Sequence, residues 1–495
     1  MQQSSNPARA AVELLGCLIL MASTVQAAEK PGILPPLPGE FLPCIPYEDY
    51  IDYQAPMPDK PVFDIRDYGA VGDGRTVNTA AINAAVQAAQ EKKGVVVIQG
   101  GDFVSGTVKL VNGITLHIAL DGVLRASRDS CDYDPMALLW CEKAQKVVIE
   151  GPGRILGEGE VWWRPPRKRA PRTPPETFVL QEAMDMHFDA KRGKRGRRPS
   201  PFIRLLESSD VTVRNLIIEN SPGWTLSIDG CTGVRVAGVV IHNNYHGPNT
   251  DGIDVVTSSQ VEIRRCFVAT GDDGIVLKNG ALTEKSGSMS DIRVSDCTVM
   301  SSTNCFKIGT ETANDISDVH VSDCTFFSQG VWPPALSGLS IESVDGAHVE
   351  RVHISNIRMR NCMAPIFIRL GNRNRRKVKD RQGRLQDIHI HGVQASGAEF
   401  PCLLSGLPGL PIRRVTLQEI EVVYRQANER LEILNPIPEQ ETEYPEFWMF
   451  GDVPAYGLWA RHVEGLRVKD FAVTPRSVNQ RKRLVLDDVA NAQLQ

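Results

Sequence analysis

Two short segments that carry carboxylates resemble one another in the middle of the chain. The first runs from Asn249 to Val255 as Asn-Thr-Asp-Gly-Ile-Asp-Val, and the second runs from Gly271 to Lys278 as Gly-Asp-Asp-Gly-Ile-Val-Leu-Lys. Aligning the shared Asp-Gly-Ile places Asp251 and Asp273 22 residues apart, with Asp272 beside the second. If 22 residues make one turn of a repetitive fold, these three carboxyl groups converge on one outer face.

Three converging carboxyl groups suit glycoside hydrolysis. Like charges held close together raise at least one pKa, so one carboxyl group keeps its proton while another is ionised. Glycosidic cleavage needs that pair of states, one group acting as the acid and the other as the base. A single Asp-Gly pair is more often a turn. Two pairs in register, with an extra aspartate beside one of them, favour a catalytic site.

An internal repeat supplies the fold that would position these residues. An apolar residue is followed by others two and five positions later, as in Val211, Val213 and Leu216. The motif begins again at Val234, Val261, Ile292, Val319, Val352, Ile388, Val415 and Leu466. Alternating apolar residues indicate strands with one buried face. A period of this length, with several strands in each repeat, indicates stacked coils.

The repeat predicts an all-β fold, a right-handed parallel β-helix (solenoid) with an N-terminal capping helix. Leucine-rich repeats have a similar period, but their consensus is missing, and propeller blades need about 40 residues each. The Ala-rich stretch Thr79–Lys92 is the candidate for the helix that covers the open end of the cylinder. Cys266, Cys297 and Cys324 share one slot in successive coils, so we expect stacked, buried thiols.

The chain also resembles glycoside hydrolase family 28, the polygalacturonase-like family, over about residues 60–475. The matching segments are the following: 67–74, Trp162-Trp163, 220–224, Asn249-Thr250-Asp251-Gly252 and Gly271-Asp272-Asp273. Segments 366–373 and 449–457 resemble a bacterial branch of that family. The resemblance implies an inverting hydrolase in which Asp272 is the general acid, Asp251 and Asp273 activate water, and Asn249 positions them. Inversion requires an acid and a base about 6.5–9.5 Å apart.

Two motifs of the family are absent. Asn304 stands where the family's Gly-His-Gly motif has its histidine, and residues 340–342 read Ser-Ile-Glu in place of Arg-Ile-Lys. The resemblance implies that Arg-Ile-Lys binds a galacturonate carboxylate in members that cleave pectin. Arginine forms paired hydrogen bonds with a carboxylate that serine cannot form. Cleavage of plain polygalacturonan is therefore in question for this chain.

Other residues near the aspartates are candidates for substrate binding. We expect Asn304 to lie one coil after Asp273, and Lys307 in the same coil to face outward and supply a replacement positive charge. Arg369 is a further cationic candidate, and His246 and Trp224 lie near the site in sequence. Each could equally be a solvated or a packed residue. No cofactor and no metal are predicted, because the chain has no CxxC pair and the site needs only carboxylates.

The ends and insertions complete the predicted organisation. Residues 1–28 resemble a secretory signal, residues 29–60 are Pro-rich, residues 61–476 form the β-helix, and residues 477–495 form a C-terminal tail. Insertions interrupt the repeat at 164–198, which is rich in Lys and Arg, and at 424–460, which is rich in aromatic residues. We expect an exported monomer, periplasmic or extracellular, with no membrane span.

Composition limits the partners. The 495 residues carry 55 Lys and Arg against 59 Asp and Glu, a formal charge of −4, which gives no general reason to expect nucleic acid. The predicted partner is a polysaccharide or oligosaccharide, with a basic 164–198 segment that suits an anionic one. The leading hypothesis is an exported glycosidase acting on plant cell-wall pectic polysaccharide. A β-helix polysaccharide lyase and a non-catalytic sugar-binding β-helix remain as alternatives.

Overall fold

A computed structural model describes residues 47–164, 197–280, 287–328, 334–375, 381–425, 433–475 and 479–495. The predicted signal at 1–28 and nearly all of the basic insertion at 164–198 lie outside these residues, as does part of the insertion at 424–460. The described residues belong to one compact unit. None of their helices is both long and apolar enough to cross a membrane.

The described residues form one α-helix, α1 (Thr79–Gln90), and 31 β-strands. The first strands are β1 (Val62–Asp64), β2 (Asp73–Val77), β3 (Val95–Ile98), β4 (Gly101–Ser105), β5 (Val108–Leu110), β6 (Thr115–Ile118), β7 (Gly122–Ala126), β8 (Leu139–Glu142), β9 (Val148–Glu150) and β10 (Arg154–Leu156). The central strands are β11 (Ile203–Leu206), β12 (Thr212–Glu219), β13 (Leu226–Asp229), β14 (Thr232–His242), β15 (Ile253–Val256), β16 (Ser259–Arg264), β17 (Phe267–Thr270), β18 (Ile275–Asn279), β19 (Met289–Ser295), β20 (Thr298–Ser301) and β21 (Asn304–Thr312). The last strands are β22 (Ile316–Phe327), β23 (Ala335–Ser343), β24 (His348–Arg360), β25 (Cys362–Leu370), β26 (Arg384–Ala398), β27 (Cys402–Ser405), β28 (Ile412–Tyr424), β29 (Ala455–Thr474), β30 (Lys482–Ala490) and β31 (Gln493–Leu494).

Each strand pairs in parallel with its counterpart one coil away, so the chain winds as the predicted right-handed parallel β-helix. The repeated apolar motif sets the register, since Val213 pairs with Val236, Val236 with Ile263, and Ile263 with Val294. These residues are buried and belong to one continuous core that runs along the cylinder. The prediction made from the period is therefore confirmed.

One face of the cylinder carries the chemistry, and we call it the site face. It consists of β11, β13, β15, β18, β21, β23, β25 and β27, each hydrogen-bonded to the next. Neighbouring strands of such a ladder lie about 4.8 Å apart. Side chains that point outward at matching positions of successive coils therefore form rows across this face.

The ends and the interior of the cylinder follow the sequence pattern. Helix α1 buries Ile82, Ala85, Val86 and Ala89 against the first coil, which confirms the capping helix. The thiol of Cys297 lies between those of Cys266 and Cys324, and all three are buried and free, as predicted. Beyond residue 476 the stack continues, because β30 pairs in parallel with β29.

Candidate active site

The structure brings the three predicted aspartates together at the start of two neighbouring strands of the site face. Ile253 of β15 pairs with Ile275 of β18, so Asp251 and Asp273 each stand two residues before a paired position. One carboxylate oxygen from each of Asp251, Asp272 and Asp273 lies within 4.8 Å of the others. The 22-residue spacing thus becomes a contact between adjacent coils.

The glycine after Asp251 is required by the close approach of these two coils. A Cβ atom added at Gly252 would lie 2.3 Å from Cγ1 of Val268 and 2.5 Å from the carbonyl oxygen of Gly274. The backbone N–H of Gly252 donates to the carbonyl of Asp273 at 3.0 Å. Packing of the two coils therefore requires glycine after Asp251, and the same close contact keeps the carboxyl groups of Asp251 and Asp273 in register.

Lys278, at the end of β18, neutralises the Asp251 side of the cluster. Its Nζ lies 3.0 Å from Oδ2 of Asp251 and 2.6 Å from Oδ1 of Asp254. The same ammonium lies 3.6 Å from the centre of the Trp224 ring, which is a close cation–π contact. All three charged groups are buried, so the lysine supplies the charge that lets carboxylates persist there.

Lys307, on β21, occupies the Asp273 side of the cluster. Its Nζ lies 3.7 Å from Oδ2 of Asp273, 3.7 Å from Oε1 of Glu342 and 3.2 Å from Oε1 of Glu446. The side-chain amide of Asn304 donates to Oδ1 of Asp273 at 2.9 Å and to Oε1 of Glu446 at 3.2 Å. Asn304 and Lys307 therefore lie beside the aspartates, as the sequence analysis expected.

Asp272 is the least buried of the three aspartates, and polar neighbours hold it in place. The amide of Asn249 donates to its Oδ2 at 3.3 Å, and the hydroxyl of Thr303 donates to its Oδ1 at 3.3 Å. Thr303 also bonds to Asp273 at 3.0 Å. Arg198 fixes Asn249 by donating to its side-chain oxygen at 3.0 Å, so the described end of the basic insertion supports the site.

The surroundings separate the proton affinities of the three carboxyl groups. Burial and the neighbouring carboxylates raise the pKa of Asp251 to about 7, against the opposing charge of Lys278. Burial and the charge of Asp273 raise the pKa of Asp272 to about 6. Burial acts in the same direction on Asp273, but Lys307, Lys278 and the hydrogen bonds from Asn304 and Thr303 lower its pKa below the usual value. Asp273 is therefore ionised near neutral pH, while the Asp251–Asp272 pair, with pKa values near 7 and 6, shares a single proton between about pH 6 and 7.

The separation of the carboxyl groups is shorter than the family resemblance led us to expect. The nearest oxygens lie within 4.8 Å, whereas inverting enzymes usually have about 6.5–9.5 Å between acid and base and retaining ones about 5–5.5 Å. Three carboxylate oxygens this close also form a donor set of the kind that hard cations accept. Lys278 and Lys307 already provide positive charge at Asp251 and Asp273.

The remaining predicted residues lie at different distances from the aspartates. Trp224 is partly exposed and packs against Lys278. His246 lies in the loop that carries Asn249, with its ring edge against Tyr245, and burial lowers its pKa. Arg369 is different, because its strand β25 lies three strands beyond β18, or about 14 Å along the ladder.

Arg369 was expected to bind substrate, but its guanidinium group is occupied within the protein. Nη1 donates to the Ser405 hydroxyl at 2.8 Å, and Nη2 donates to the carbonyls of Glu439 and Gln440 at 2.7 and 3.1 Å. The side chain is fully buried. We therefore assign Arg369 to holding the segment that leads to Glu446, and not to the substrate.

Several residues of the site were missed by the sequence analysis. They are Asp254, Lys278, Thr303, Glu342, Tyr444 and Glu446. Asp254 and Lys278 lie within the two aligned segments. The alternation of inward and outward positions along a strand would have indicated that their side chains face outward. Glu446 had no such signal, since it lies 139 residues after Lys307 in a segment without the repeat.

Comparisons with known proteins identify the family and the fold. The family model of Glycosyl hydrolases family 28 matches residues 185–440, and a model described as rhamnogalacturonase A/epimerase, pectate lyase-like, matches residues 62–117. A polygalacturonase of Juniperus ashei is 26% identical over 377 residues, which cover 72% of this chain and 67% of the relative. The chain spans only 40–43% of the length of three further relatives.

Two solved structures share the fold. A hyperthermoactive exopolygalacturonase from Thermotoga maritima superposes with a TM-score of 0.60 at 20% identity, covering 76% of this chain and 90% of that one. A family 28 exopolygalacturonase from Yersinia enterocolitica gives a TM-score of 0.62 at 16% identity, covering 88% of this chain and 78% of that one. At these identities the likeness concerns the arrangement of the coils.

Proposed function

The chain belongs to glycosyl hydrolases family 28, and we propose that it hydrolyses glycosidic bonds in a plant cell-wall pectic polysaccharide or oligosaccharide. The observation that carries this proposal is the convergence of three carboxyl groups with opposite shifts in proton affinity. The names of its relatives, which include polygalacturonases, support a pectic substrate.

In the proposed reaction, Asp272 gives its proton to the glycosidic oxygen as the bond from that oxygen to the anomeric carbon breaks. In the form of the Asp251–Asp272 pair that carries its single proton on Asp272, Asp251 and Asp273 hold a water molecule. The oxygen of this water bonds to the anomeric carbon while its proton passes to the ionised Asp251. Asp273 stays ionised beside Lys307 and stabilises the positive charge that develops on the sugar. Asp272 suits the acid role because it keeps its proton to about pH 6 and is the most accessible of the three.

We infer supporting roles from the contacts of the neighbouring residues. Asn249 and Thr303 orient Asp272, and Asn304 orients Asp273. The partly exposed ring of Trp224 offers a face on which a sugar could stack. His246 lines the same loop as Asn249 and, with its lowered pKa, is uncharged near neutral pH.

We propose a single displacement with inversion, as the family resemblance implies. Because one oxygen from each carboxyl group lies within 4.8 Å of the others, the stereochemistry of the product is a decisive measurement. Proton NMR of the first product formed distinguishes the two routes. Release of the opposite anomer supports inversion, and release of the starting anomer would assign one aspartate as a nucleophile.

The experiment that tests the proposal is Asp272→Asn, which keeps the size of the side chain but removes the transferable proton. We expect the release of reducing sugar from pectic substrates to fall by about 10²–10⁴-fold, the usual contribution of a positioned general acid. The matched control is Asp296→Asn, an exposed aspartate one coil further on. Full activity in Asp272→Asn, with the circular dichroism spectrum unchanged, would refute the assignment.

A lyase mechanism fits the described residues less well. Elimination requires a basic side chain that can take a proton from the sugar. Lys278 and Lys307 are each paired with two or more carboxylates, so neither is available as a base. Ultraviolet absorbance from a new double bond in the product would identify a lyase instead.

We also propose that the protein is exported and acts as a monomer. Export rests on the signal-like residues 1–28, and we propose a bacterial branch of the family because segments 366–373 and 449–457 resemble it. N-terminal sequencing of the protein recovered outside the cytoplasm, together with its mass in solution, tests both statements. An intact N-terminus or a stable dimer would contradict them.

A further inference from the structure

Lys307 is the cation next to Asp273, and protein carboxylates already surround it. Its Nζ lies 3.7 Å from Asp273, 3.7 Å from Glu342 and 3.2 Å from Glu446. All four side chains are buried, with Lys307 1% exposed and Glu446 4% exposed. Glu446 comes from the segment that precedes β29 and also accepts a hydrogen bond from Asn304 at 3.2 Å. A carboxylate from the protein therefore occupies the place where a substrate carboxylate would meet this lysine.

The other cations on the described site face are also occupied. Lys278 is shared between Asp251 and Asp254. Arg373, whose guanidinium lies 5.8 Å from the Tyr444 ring, pairs with Asp345 at 2.6 Å. The site therefore places six carboxyl groups, of residues 251, 254, 272, 273, 342 and 446, against the two lysines. On the Lys307 side, a further carboxylate meets the ionised Asp273 and a lysine that protein carboxyl groups already share.

The hydrogen-bonding capacity of the cluster points the same way. Oε2 of Glu342, Oε2 of Glu446 and Oδ1 of Asn304 are buried and have no donor among the described residues. The cluster is thus short of donors and rich in acceptors. An ionised carboxylate can only accept hydrogen bonds, whereas a sugar hydroxyl group can both donate and accept. Such surroundings suit a sugar that presents hydroxyl groups.

We propose that the sugar unit bound on the Lys307 side of the catalytic aspartates is an uncharged hexose or deoxyhexose, and that Glu446 excludes a uronate from that position. This inference rests on the proposed function and narrows its substrate class. Tyr444, two residues before Glu446, is partly exposed above Lys307, with its ring centre 5.4 Å from Nζ. The segment around residues 444–446 therefore determines the specificity, because Glu446 supplies the carboxylate and Tyr444 covers Lys307.

The test compares two substrates that differ only in charge. One is an oligogalacturonide, and the other is the same oligosaccharide after chemical reduction of its carboxyl groups to primary alcohols. The decisive quantity is the ratio of kcat/KM for the charged substrate to that for the reduced one, measured with the full chain at a fixed pH. We expect the wild type to favour the reduced substrate. Glu446→Gln removes one negative charge without changing size, so we expect the ratio to rise at least about tenfold.

Two further variants keep the result interpretable. Glu443→Gln makes the same change at an exposed position of the same segment, and we expect the ratio to stay at the wild-type value. Glu446→Ala is the second buried substitution, in case Glu446→Gln does not fold; it also removes the carboxyl group, and we expect it to raise the ratio in the same direction. An unchanged ratio in the folded buried variants would overturn the inference, as would a wild-type preference for the charged substrate. Failure of the proposed function is distinct, since then no hydrolysis of either substrate would be sensitive to Asp272→Asn.

Discussion

Lys278→Met offers a sharp test of how the charges of this site are held. Lys278 is buried, and its ammonium contacts the carboxylates of Asp251 and Asp254 at 3.0 and 2.6 Å. Methionine has a similar length and no charge, so the substitution removes the positive charge while largely preserving the packing. Two buried carboxyl groups then lose their shared partner.

The expected cost in stability follows from burial. Removing one partner of a buried ion pair destabilises a protein by about 3–5 kcal/mol, because the remaining charge is left uncompensated. Lys143 provides the matched control, since it is 69% exposed and lies 4.0 Å from Glu207. Lys143→Met should change the free energy of unfolding by less than about 1 kcal/mol, as is usual for an exposed pair.

The loss should also depend on pH. Burial raises the pKa of both Asp251 and Asp254 in the native protein, and Lys278 opposes that shift. Without the lysine their folded-state pKa values rise further, so the variant loses stability as the pH rises from the unfolded value near 4 through the folded values. One additional pKa unit at each carboxyl group would widen the gap to the wild type by about 3 kcal/mol.

The assay is urea unfolding followed by circular dichroism at pH 4.5 and pH 7.5 for the wild type and both variants. We expect a Lys278→Met deficit that is small at pH 4.5 and larger at pH 7.5, with a Lys143→Met deficit near zero at both. A deficit under 1 kcal/mol at pH 7.5, or one that does not change with pH, would refute the role of Lys278 as the compensating charge. Hydrolysis should fall as well, since Asp251 would then hold its proton more tightly.

Two further outcomes follow from the geometry of the aspartates. The pH dependence of kcat should be bell-shaped, because the rate rises as the Asp251–Asp272 pair loses its first proton and falls as it loses the second. The apparent pKa values of the pair should lie near 6 and 7. A rate that stays constant from pH 4 to 9 would contradict this prediction. Gly252→Ala should lower both the thermal midpoint and the activity, because its Cβ would lie 2.3 Å from Val268. Gly287→Ala is the control, since its Cβ would meet nothing within 4 Å, and equal losses in the two variants would disprove the packing argument.

The sequence predicted the fold because a solenoid converts a linear period into contacts. Once Val213, Val236 and Ile263 are recognised as equivalent, their pairing in the ladder follows. The same reasoning placed Asp251 beside Asp273, since residues at matching positions of successive coils lie one strand spacing apart. It could also have found the contact of Lys278 with Asp254, which lies within the two aligned segments.

Prediction stopped where the chain leaves the repeat. Arg369 has the residue type expected for a sugar carboxylate, yet its guanidinium holds the carbonyls of Glu439 and Gln440. Nothing in the local sequence of Arg369 indicates those acceptors, because they belong to an insertion 70 residues later. A residue type alone did not decide whether this charge faces the substrate or the interior.

The sequence by itself determined the coil register and, with it, the meeting of Asp251, Asp272 and Asp273. Only the tertiary structure decided which charges accompany them, since Glu446 reaches Lys307 across 139 residues of chain. The physical reason is that the ladder is governed by a periodic pattern of buried side chains, whereas an insertion packs wherever its own charges and apolar residues find partners. The catalytic carboxyl groups lie on the periodic part, and the residues that we expect to select the sugar lie partly outside it.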